Sequence, residues 1–398
     1  MQDYDHAVCT RTLDADALSV AIKVQPFFRP CCDRTILDSR EEGGRCEIDL
    51  CLLTGGHWLL HVAHNPNHKI HSLASDLGIR TSTDPVRDVV RFCEKRVTRF
   101  LKDFPDCKTL SQLLDISASK LGTKFEEIHS DHQLNDVRTR YLNSGEKSFA
   151  SLHEELTVEV FGVTFKRLSR KPWELPYVSV IDCRLDKKYR SYYTKWHELG
   201  HLLILTVQMR LAFRRTHFGL DDKDPEEALV DVIAGAFGFF PDLIKPVATG
   251  RPSFEVIEMI RQQLCPEASQ QASIIGIARA WPTACILLQA QMGLKRGERR
   301  DIAQGDLGFQ GMPKEVLRAI QVSPNDAARA SNLVIFPNMR VPDRSIISKI
   351  FIGGAPDGAA VEDLAWWESS DGSRLPSAKV LVQACSGRDG VRAIITPK

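Results

Sequence analysis

The residues in this sequence best suited to metal chemistry are His197, Glu198 and His201. They form the pattern H-E-x-x-H within YYTKWHELGHLLIL. We predict that a helix runs through this segment, from about Tyr193 to Arg210. On a helix, residues four apart lie on one face, so both imidazoles can bind one ion. The glutamate then lies beside the ion, where it can accept a proton from metal-bound water. Chance matches to this pattern are expected about 0.02 times per chain of this length.

A catalytic zinc site has three protein ligands and a position for water, so a third ligand must come from another element. The downstream segment DPEEALVDVIAGAFGFFP predicts a helix with Asp224 as N-cap and Pro225 in the first turn. Glu227 and Asp231 share one face of that helix. We predict that Glu227 binds the metal and that Asp231 holds a histidine N–H from outside the ligand shell. Glu226 is the alternative ligand, and the simpler interpretation is an acidic first turn.

A second group of histidines lies near the N-terminus, at His57, His61, His64, His68 and His71. Their near-heptad spacing would align them on one helical face as an alternative metal site. However, Gly55–Gly56 and Asn65–Pro66 interrupt such a helix. We therefore interpret this segment as a strand followed by a loop with exposed histidines.

The elements that must position these residues belong to a chain of 398 residues, 43% hydrophobic and 26% charged, which is typical of a globular protein. Its net charge of +1 provides no general attraction to nucleic acid or anionic membranes. We therefore expect no membrane partner, and any contact with nucleic acid would have to come from a local patch of charge. No apolar run reaches the roughly 18 residues of a membrane span, and no signal peptide is evident. Eleven scattered cysteines favour reduced thiols, so we expect a cytoplasmic protein.

We predict an α+β fold in three regions. Residues 1–82 form a β-rich accessory region, in which CEIDLCLLTGGHWLLHVAH has the pattern of a hairpin. Residues 83–322 form a helical, metal-binding domain, with its core at about 110–300. Residues 323–398 form a small β-rich domain, because glycines and prolines separate short apolar runs there. We interpret it as a sensory or substrate-recognising domain.

Within the middle region, periodicity predicts helices for residues 85–102 and 109–121, with Thr83 or Asp84 capping the first. The segments EELTVEVFGVTFKRL and YVSVIDC predict strands. Further helices are expected for SFEVIEMIRQQLC and for ASIIGIARAWPTACILLQAQMGL. We expect the strand around Val178–Ile181 to lie at a sheet edge, where an extended peptide can pair with it.

The two metal-binding segments resemble the ImmA/IrrE family of zinc-dependent metallo-endopeptidases. Members of the family carry sequences similar to (R/Y)-F-T-x-A-H-E-L-G-H, followed by E-x-x-x-(D/N)-x-(F/I)-A-x-x-L-L-x-P. The matching residues here are Thr194, His197–His201, Glu227, Asp231, Ile233, Ala234 and Pro241. The resemblance covers about residues 110–300. Trp196 replaces a small residue, and Pro241 follows one residue later than in the family pattern.

The resemblance implies a zincin-like core that binds Zn²⁺, with Mn²⁺ as the alternative. It also implies limited proteolysis of a cytoplasmic regulatory protein, such as a helix-turn-helix repressor, in a stress, phage-defence or mobile-element response. Glu198 is the expected general base, and His217 and Tyr193 are our predictions for an oxyanion partner. The alternatives are a catalytically inactive zincin-fold DNA-binding or sensor protein, and a peptidase acting on small peptides or cell-wall fragments. The sequence does not indicate an oligomeric state.

Overall fold

The structure is a computed structural model that describes residues 48–53, 57–62, 68–80, 83–205, 214–217, 224–295, 314–369, 372–387 and 389–398. For the strands within 48–62 and 214–217, the structure describes the backbone alone. The chain combines helices and small sheets, which confirms the α+β class. Most of the predicted N-terminal region lies outside the described residues.

The elements before the H-E-x-x-H helix are, in chain order, β1 Ile48–Leu53, β2 His57–Val62, α1 His68–Asp76, α2 Pro85–Asp103, α3 Leu110–Leu121, β3 Thr123–Ile128, α4 Asp131–Asn143, α5 Leu152–Glu155, β4 Val160–Lys166 and β5 Tyr177–Asp182. The predicted hairpin is confirmed, because β1 and β2 pair in antiparallel register. Since β2 is a strand and α1 begins only at His68, the N-terminal histidines do not form one helical face.

The central elements are α6 Ser191–Leu203, β6 Arg214–His217, α7 Pro225–Phe237, α8 Pro241–Ile244, α9 Phe254–Leu264 and α10 Gln270–Ala280. Helix α6 carries the H-E-x-x-H residues and ends seven residues before the predicted Arg210. Its last turn is capped from another helix, because Arg96 Nη1 of α2 donates to the Leu203 carbonyl, a favourable contact for a cation at a helix C-terminus. Helix α7 begins as predicted, with Asp224 as N-cap and Pro225 in its first turn.

A four-stranded sheet has the order β3-β5-β4-β6. Strand β3 is parallel to β5, whereas β4 is antiparallel to both β5 and β6. The prediction that Val178–Ile181 lies at an edge is therefore wrong, because β3 and β4 pair with the two sides of this strand. The edges of this sheet are β3 and β6. The β4–β6 ladder contains a bulge between Val160 and Val163.

Helix α6 is packed closely between this sheet and α7. Trp196 and Leu199 are fully buried. The close approach of the two helices requires Gly200, since a Cβ atom there would lie 2.8 Å from Cγ1 of Val230 on α7. A glycine within a helix is less stable than alanine by about 1 kcal/mol, so packing explains this residue. The contact brings His197 and His201 to the acidic face of α7.

Gly200→Ala is expected to lower the free energy of unfolding by about 1–2 kcal/mol. The overlap with Val230, a stiff β-branched residue, outweighs the gain in helix propensity. Urea denaturation would measure the change. The double variant Gly200→Ala/Val230→Ala is expected to be more stable than the sum of the single effects predicts. Strict additivity would contradict this packing explanation.

The C-terminal elements are β7 Ile286–Gly293, β8 Val316–Pro324, α11 Asp326–Ala330, α12 Ile346–Gly353, β9 Asp357–Asp363, β10 Lys379–Gly387 and β11 Gly390–Pro397. The strands form one sheet, in the order β8-β7-β11-β10-β9. This sheet takes its strands from both sides of the boundary predicted at residues 322/323. Among the described residues, no helix is long and apolar enough to cross a membrane.

The helix predicted for residues 272–294 is wrong in its second half. Helix α10 ends at Ala280, Pro282 follows two residues later, and Ile286–Gly293 form the inner strand β7. Proline cannot continue the helical hydrogen bonding. A short apolar run such as CILLQA fits a strand covered on both faces as well as it fits a buried helix, so its pattern does not distinguish them.

Candidate metal centre

The ligand atoms of His197, His201 and Glu227 all lie within 4.8 Å of one another. His197 Nε2 is 3.1 Å from Glu227 Oε2, and His201 Nε2 is 3.4 Å from Glu227 Oε1. Both histidines are buried, whereas the Glu227 side chain is one-fifth exposed. The three predicted ligands thus converge at one position. They come from two helices, and His201 and Glu227 are 26 residues apart in the sequence.

Asp231 occupies the predicted supporting position. Its Oδ1 is 2.9 Å from His197 Nδ1, on the side of the ring away from Glu227. The Tyr193 hydroxyl donates to the same Oδ1 atom, at 3.2 Å. The ring of His197 is therefore fixed through both of its nitrogens, as is usual for histidines that bind metals. Tyr193 supports Asp231 in this arrangement, and its predicted oxyanion role stays a prediction.

Burial alone would lower the pKa of His197, but hydrogen bonds with Asp231 and Glu227 raise it to about 10. Burial would conversely raise the pKa of Glu227, whereas hydrogen bonds with His197 and His201 lower it well below its usual range. The cluster therefore stabilises positive charge between these side chains. A cation would occupy the same region and would replace a proton there.

The residues present fit a divalent metal. In the described part of the chain, the buried Nδ1 of His201 has no hydrogen-bond partner, and the buried Nε2 has only the 3.4 Å contact with Glu227 Oε1. A buried nitrogen without a partner is costly, and a cation bound to Nε2 would remove part of that cost. Two imidazoles and one carboxylate are the ligand set of one class of catalytic zinc site. His197, His201 and Glu227 would hold the ion.

Glu198 points in a different direction, toward the four-stranded sheet. Its side chain is fully buried, and Oε2 accepts a hydrogen bond of 2.6 Å from the Thr164 hydroxyl on β4. Thr164 Oγ1 is 2.7 Å from Ser179 Oγ on β5, which is 3.1 Å from Thr123 Oγ1 on β3. A row of buried hydroxyl groups thus crosses three strands and ends on the glutamate.

Strand β4 leaves room for Glu198 at Gly162. A Cβ atom at that position would lie 2.7 Å from Thr194 Cγ2 and 3.0 Å from Glu198 Oε1. Gly162 also lies within the bulge of the β4–β6 ladder, and bulges are common beside active sites. Gly162, Thr164 and Ser179 were not among the predicted site residues. The available signal was a single hydroxyl residue inside each apolar strand, in FGVTFK and YVSVID.

Glu226 and His217 lie outside this cluster of described ligand atoms. Glu226 lies in the first turn of α7, where its backbone N–H donates to Asp224, and it does not belong to the group of converging ligand atoms. His217 is the last residue of β6 and pairs with Val160 of β4. Its side chain is outside what the structure describes, so its oxyanion role stays a prediction.

Asp231→Asn is expected to weaken zinc binding about tenfold to a hundredfold. The amide is uncharged, so it holds the N–H of His197 less strongly and reduces the basicity of that ligand. Competition with a chromophoric chelator would measure the affinity. Asp242→Asn, an exposed position on α8, serves as the matched control. Equal affinities in the two variants would contradict the role of Asp231.

Comparison of the chain with models of known protein families and with curated proteins gives no match.

Proposed function

We propose that this protein is a zinc-dependent endopeptidase that cleaves a cytoplasmic regulatory protein. The observation that supports this proposal most strongly is the convergence of His197, His201 and Glu227, with Glu198 adjacent in sequence to the first ligand. The resemblance to the ImmA/IrrE family suggests a helix-turn-helix transcriptional repressor as the substrate. It also suggests a stress, phage-defence or mobile-element response as the setting.

When bound, Zn²⁺ would polarise the scissile carbonyl and lower the pKa of a bound water. The chain supplies the remaining functions. Glu198 accepts the proton of the attacking water and donates it to the leaving amine. Thr164 fixes the orientation of the carboxylate through its hydrogen bond to Oε2. Asp231 and Tyr193 hold the ring of His197 in the orientation that directs Nε2 toward Glu227.

An extended substrate would pair with the sheet at the edge nearer to β4, which is formed by β6, and not with the central strand β5. Strand β4 contacts Glu198 through Gly162 and Thr164, and its outer neighbour is the edge strand β6. Backbone pairing at an edge gives affinity without sequence selectivity. Substrate selection would then depend on side-chain contacts or on the accessory regions, consistent with a protease of narrow specificity.

The direct test is to incubate the zinc-loaded chain with a repressor encoded beside its gene, and separately with peptides prepared from a whole proteome. Mass spectrometry of new amino termini would identify the cleavage sites. We expect cleavage that is absent from a matched Glu198→Gln sample and is restored by zinc after chelation. Equal sets of termini in both samples would contradict the proposal.

A second candidate function is a metal-holding sensor or DNA-binding protein without hydrolytic activity. The observation that favours it is the complete burial of Glu198, whose Oε2 is engaged by Thr164. Stoichiometric zinc without hydrolysis of any peptide, together with zinc-dependent DNA binding, would favour this alternative over the endopeptidase.

Thr164→Val is expected to lower kcat about tenfold to a hundredfold with little change in KM or zinc content. The variant has the same shape, but it removes a charge-assisted hydrogen bond worth about 1.5–3 kcal/mol. The measurement is steady-state cleavage of the peptide found above. Thr164→Ser keeps the hydroxyl and is expected to retain most of the activity. If both variants were equally impaired, packing rather than the hydrogen bond would explain the effect.

A further inference from the structure

A second group of metal-binding side chains lies at the carboxyl ends of β3 and β5. Glu127 is near the end of β3, and His129 directly follows that strand. Cys183 directly follows β5, and its backbone N–H donates to the Ile128 carbonyl at 2.8 Å. Because the two strands are parallel and Ile128 pairs with Asp182, their ends place these three side chains together.

The distances within this group suit a shared ion. Glu127 Oε2 is 3.7 Å from His129 Nε2, and it accepts a hydrogen bond of 3.7 Å from Cys183 Sγ. Each residue offers a ligand atom within 4.8 Å of the other two. Ligands bound tetrahedrally to zinc at about 2.0–2.3 Å are separated by roughly 3.3–3.8 Å. The oxygen–nitrogen distance is too long for a hydrogen bond, although it is short enough for an ion pair between the glutamate and a protonated histidine.

Glu127 is oriented by a residue of the H-E-x-x-H helix. Lys195 Nζ is 2.7 Å from Glu127 Oε1, which leaves Oε2 facing His129 and Cys183. The His129 side chain is 55% exposed and that of Glu127 is 37% exposed, so water can reach an open coordination position. Cys183 is buried at 3% exposure. The Cys183 thiol donates to Glu127 Oε2, and burial raises its pKa to about 12, so a divalent ion would replace the thiol proton on binding.

We infer that Glu127, His129 and Cys183 form a second metal site, separate from His197, His201 and Glu227. The combination of thiolate, imidazole and carboxylate selects Zn²⁺ or a similar transition metal over Mg²⁺ or Ca²⁺. The ion would join the ends of β3 and β5 and, through Lys195, lie beside the helix that carries His197. This site does not depend on the proposed proteolytic function, because none of its residues takes part in it.

Cobalt provides a direct probe, because Co²⁺ bound to a thiolate shows a sulfur-to-metal charge-transfer absorption in the near ultraviolet. The first site has no sulfur ligand, so this band does not report on it and needs no activity measurement. We expect the band when Co²⁺ is added to the reduced full-length chain. We expect it to be lost in Cys183→Ser and in His129→Ala, each of which should also retain about one zinc ion fewer per chain.

Two matched controls separate this site from other thiols and histidines. Cys107→Ser replaces a half-buried cysteine that bonds to the Thr109 carbonyl, and His132→Ala replaces an exposed histidine on α4. Both are expected to keep the band and the zinc content. His129 is exposed enough for its variant to fold normally even if Cys183→Ser does not. A wild-type chain without the band, or a band that persists in His129→Ala, would overturn the inference.

Discussion

Glu198→Gln is expected to lower peptide hydrolysis about a thousandfold while the chain retains its zinc. Glutamine has the same shape and can still accept the hydrogen bond from Thr164, but it cannot take a proton from water at neutral pH. Glu198 is not one of the three converging ligands, so metal binding should not change. The effect is large because proton transfer from water and proton transfer to the leaving amine depend on the same carboxylate.

The measurement is single-turnover cleavage together with elemental analysis of the same preparation. Glu258→Gln, which removes a carboxylate paired with Arg261 on the distant helix α9, is the control and should keep full activity. Retained activity in Glu198→Gln would exclude Glu198 as the general base. Loss of zinc in that variant would instead indicate that Glu198 supports the ligands.

Glu227→Ala is expected to weaken zinc binding by roughly a hundredfold to ten-thousandfold and to abolish activity at limiting zinc. Its carboxylate contacts both histidines, at 3.1 Å and 3.4 Å. Losing one partner of a buried charged group typically costs about 3–5 kcal/mol, which corresponds to that range of affinity. Zinc titration against a competing chelator would measure the change.

Glu226→Ala is the matched control, because Glu226 is the same residue type one position earlier on α7. It is expected to keep its zinc, since its carboxylate is not among the converging ligand atoms. The reverse result, with zinc lost from Glu226→Ala and kept by Glu227→Ala, would shift the ligand assignment by one residue. Excess zinc should restore part of the activity of Glu227→Ala if the fold is intact.

Much of the candidate site could be predicted because residues close together in the sequence determine it. The spacing of His197, Glu198 and His201 defines a helix face, and Glu227 with Asp231 defines another. Helix starts were also evident from single residues, as Asp224 shows for α7 and Asp84 for α2. Each of these signals depends on residues within one or two helical turns.

The order of the strands could not be predicted from the same signals. An apolar strand fits a central or an edge position, and only its neighbours decide which one it takes. Strand β5 became central because β3 pairs with it, and β3 was missed since TKFEEI carries three charged residues among six. The contact of Thr164 with Glu198 spans 34 residues, so no local pattern indicates it. Chain topology determines such contacts.

We expect Gly162 and Thr164 to mark other proteins that share this arrangement. A side chain at position 162 would overlap Thr194 and Glu198, and the hydroxyl at position 164 holds the glutamate. Both positions therefore act on the Glu198 carboxylate: the glycine leaves room for it, and the threonine hydroxyl orients it. A strand with G-x-T, followed by a helix with T-x-x-H-E-x-x-H, would identify proteins that keep this support even where the rest of the sequence has diverged.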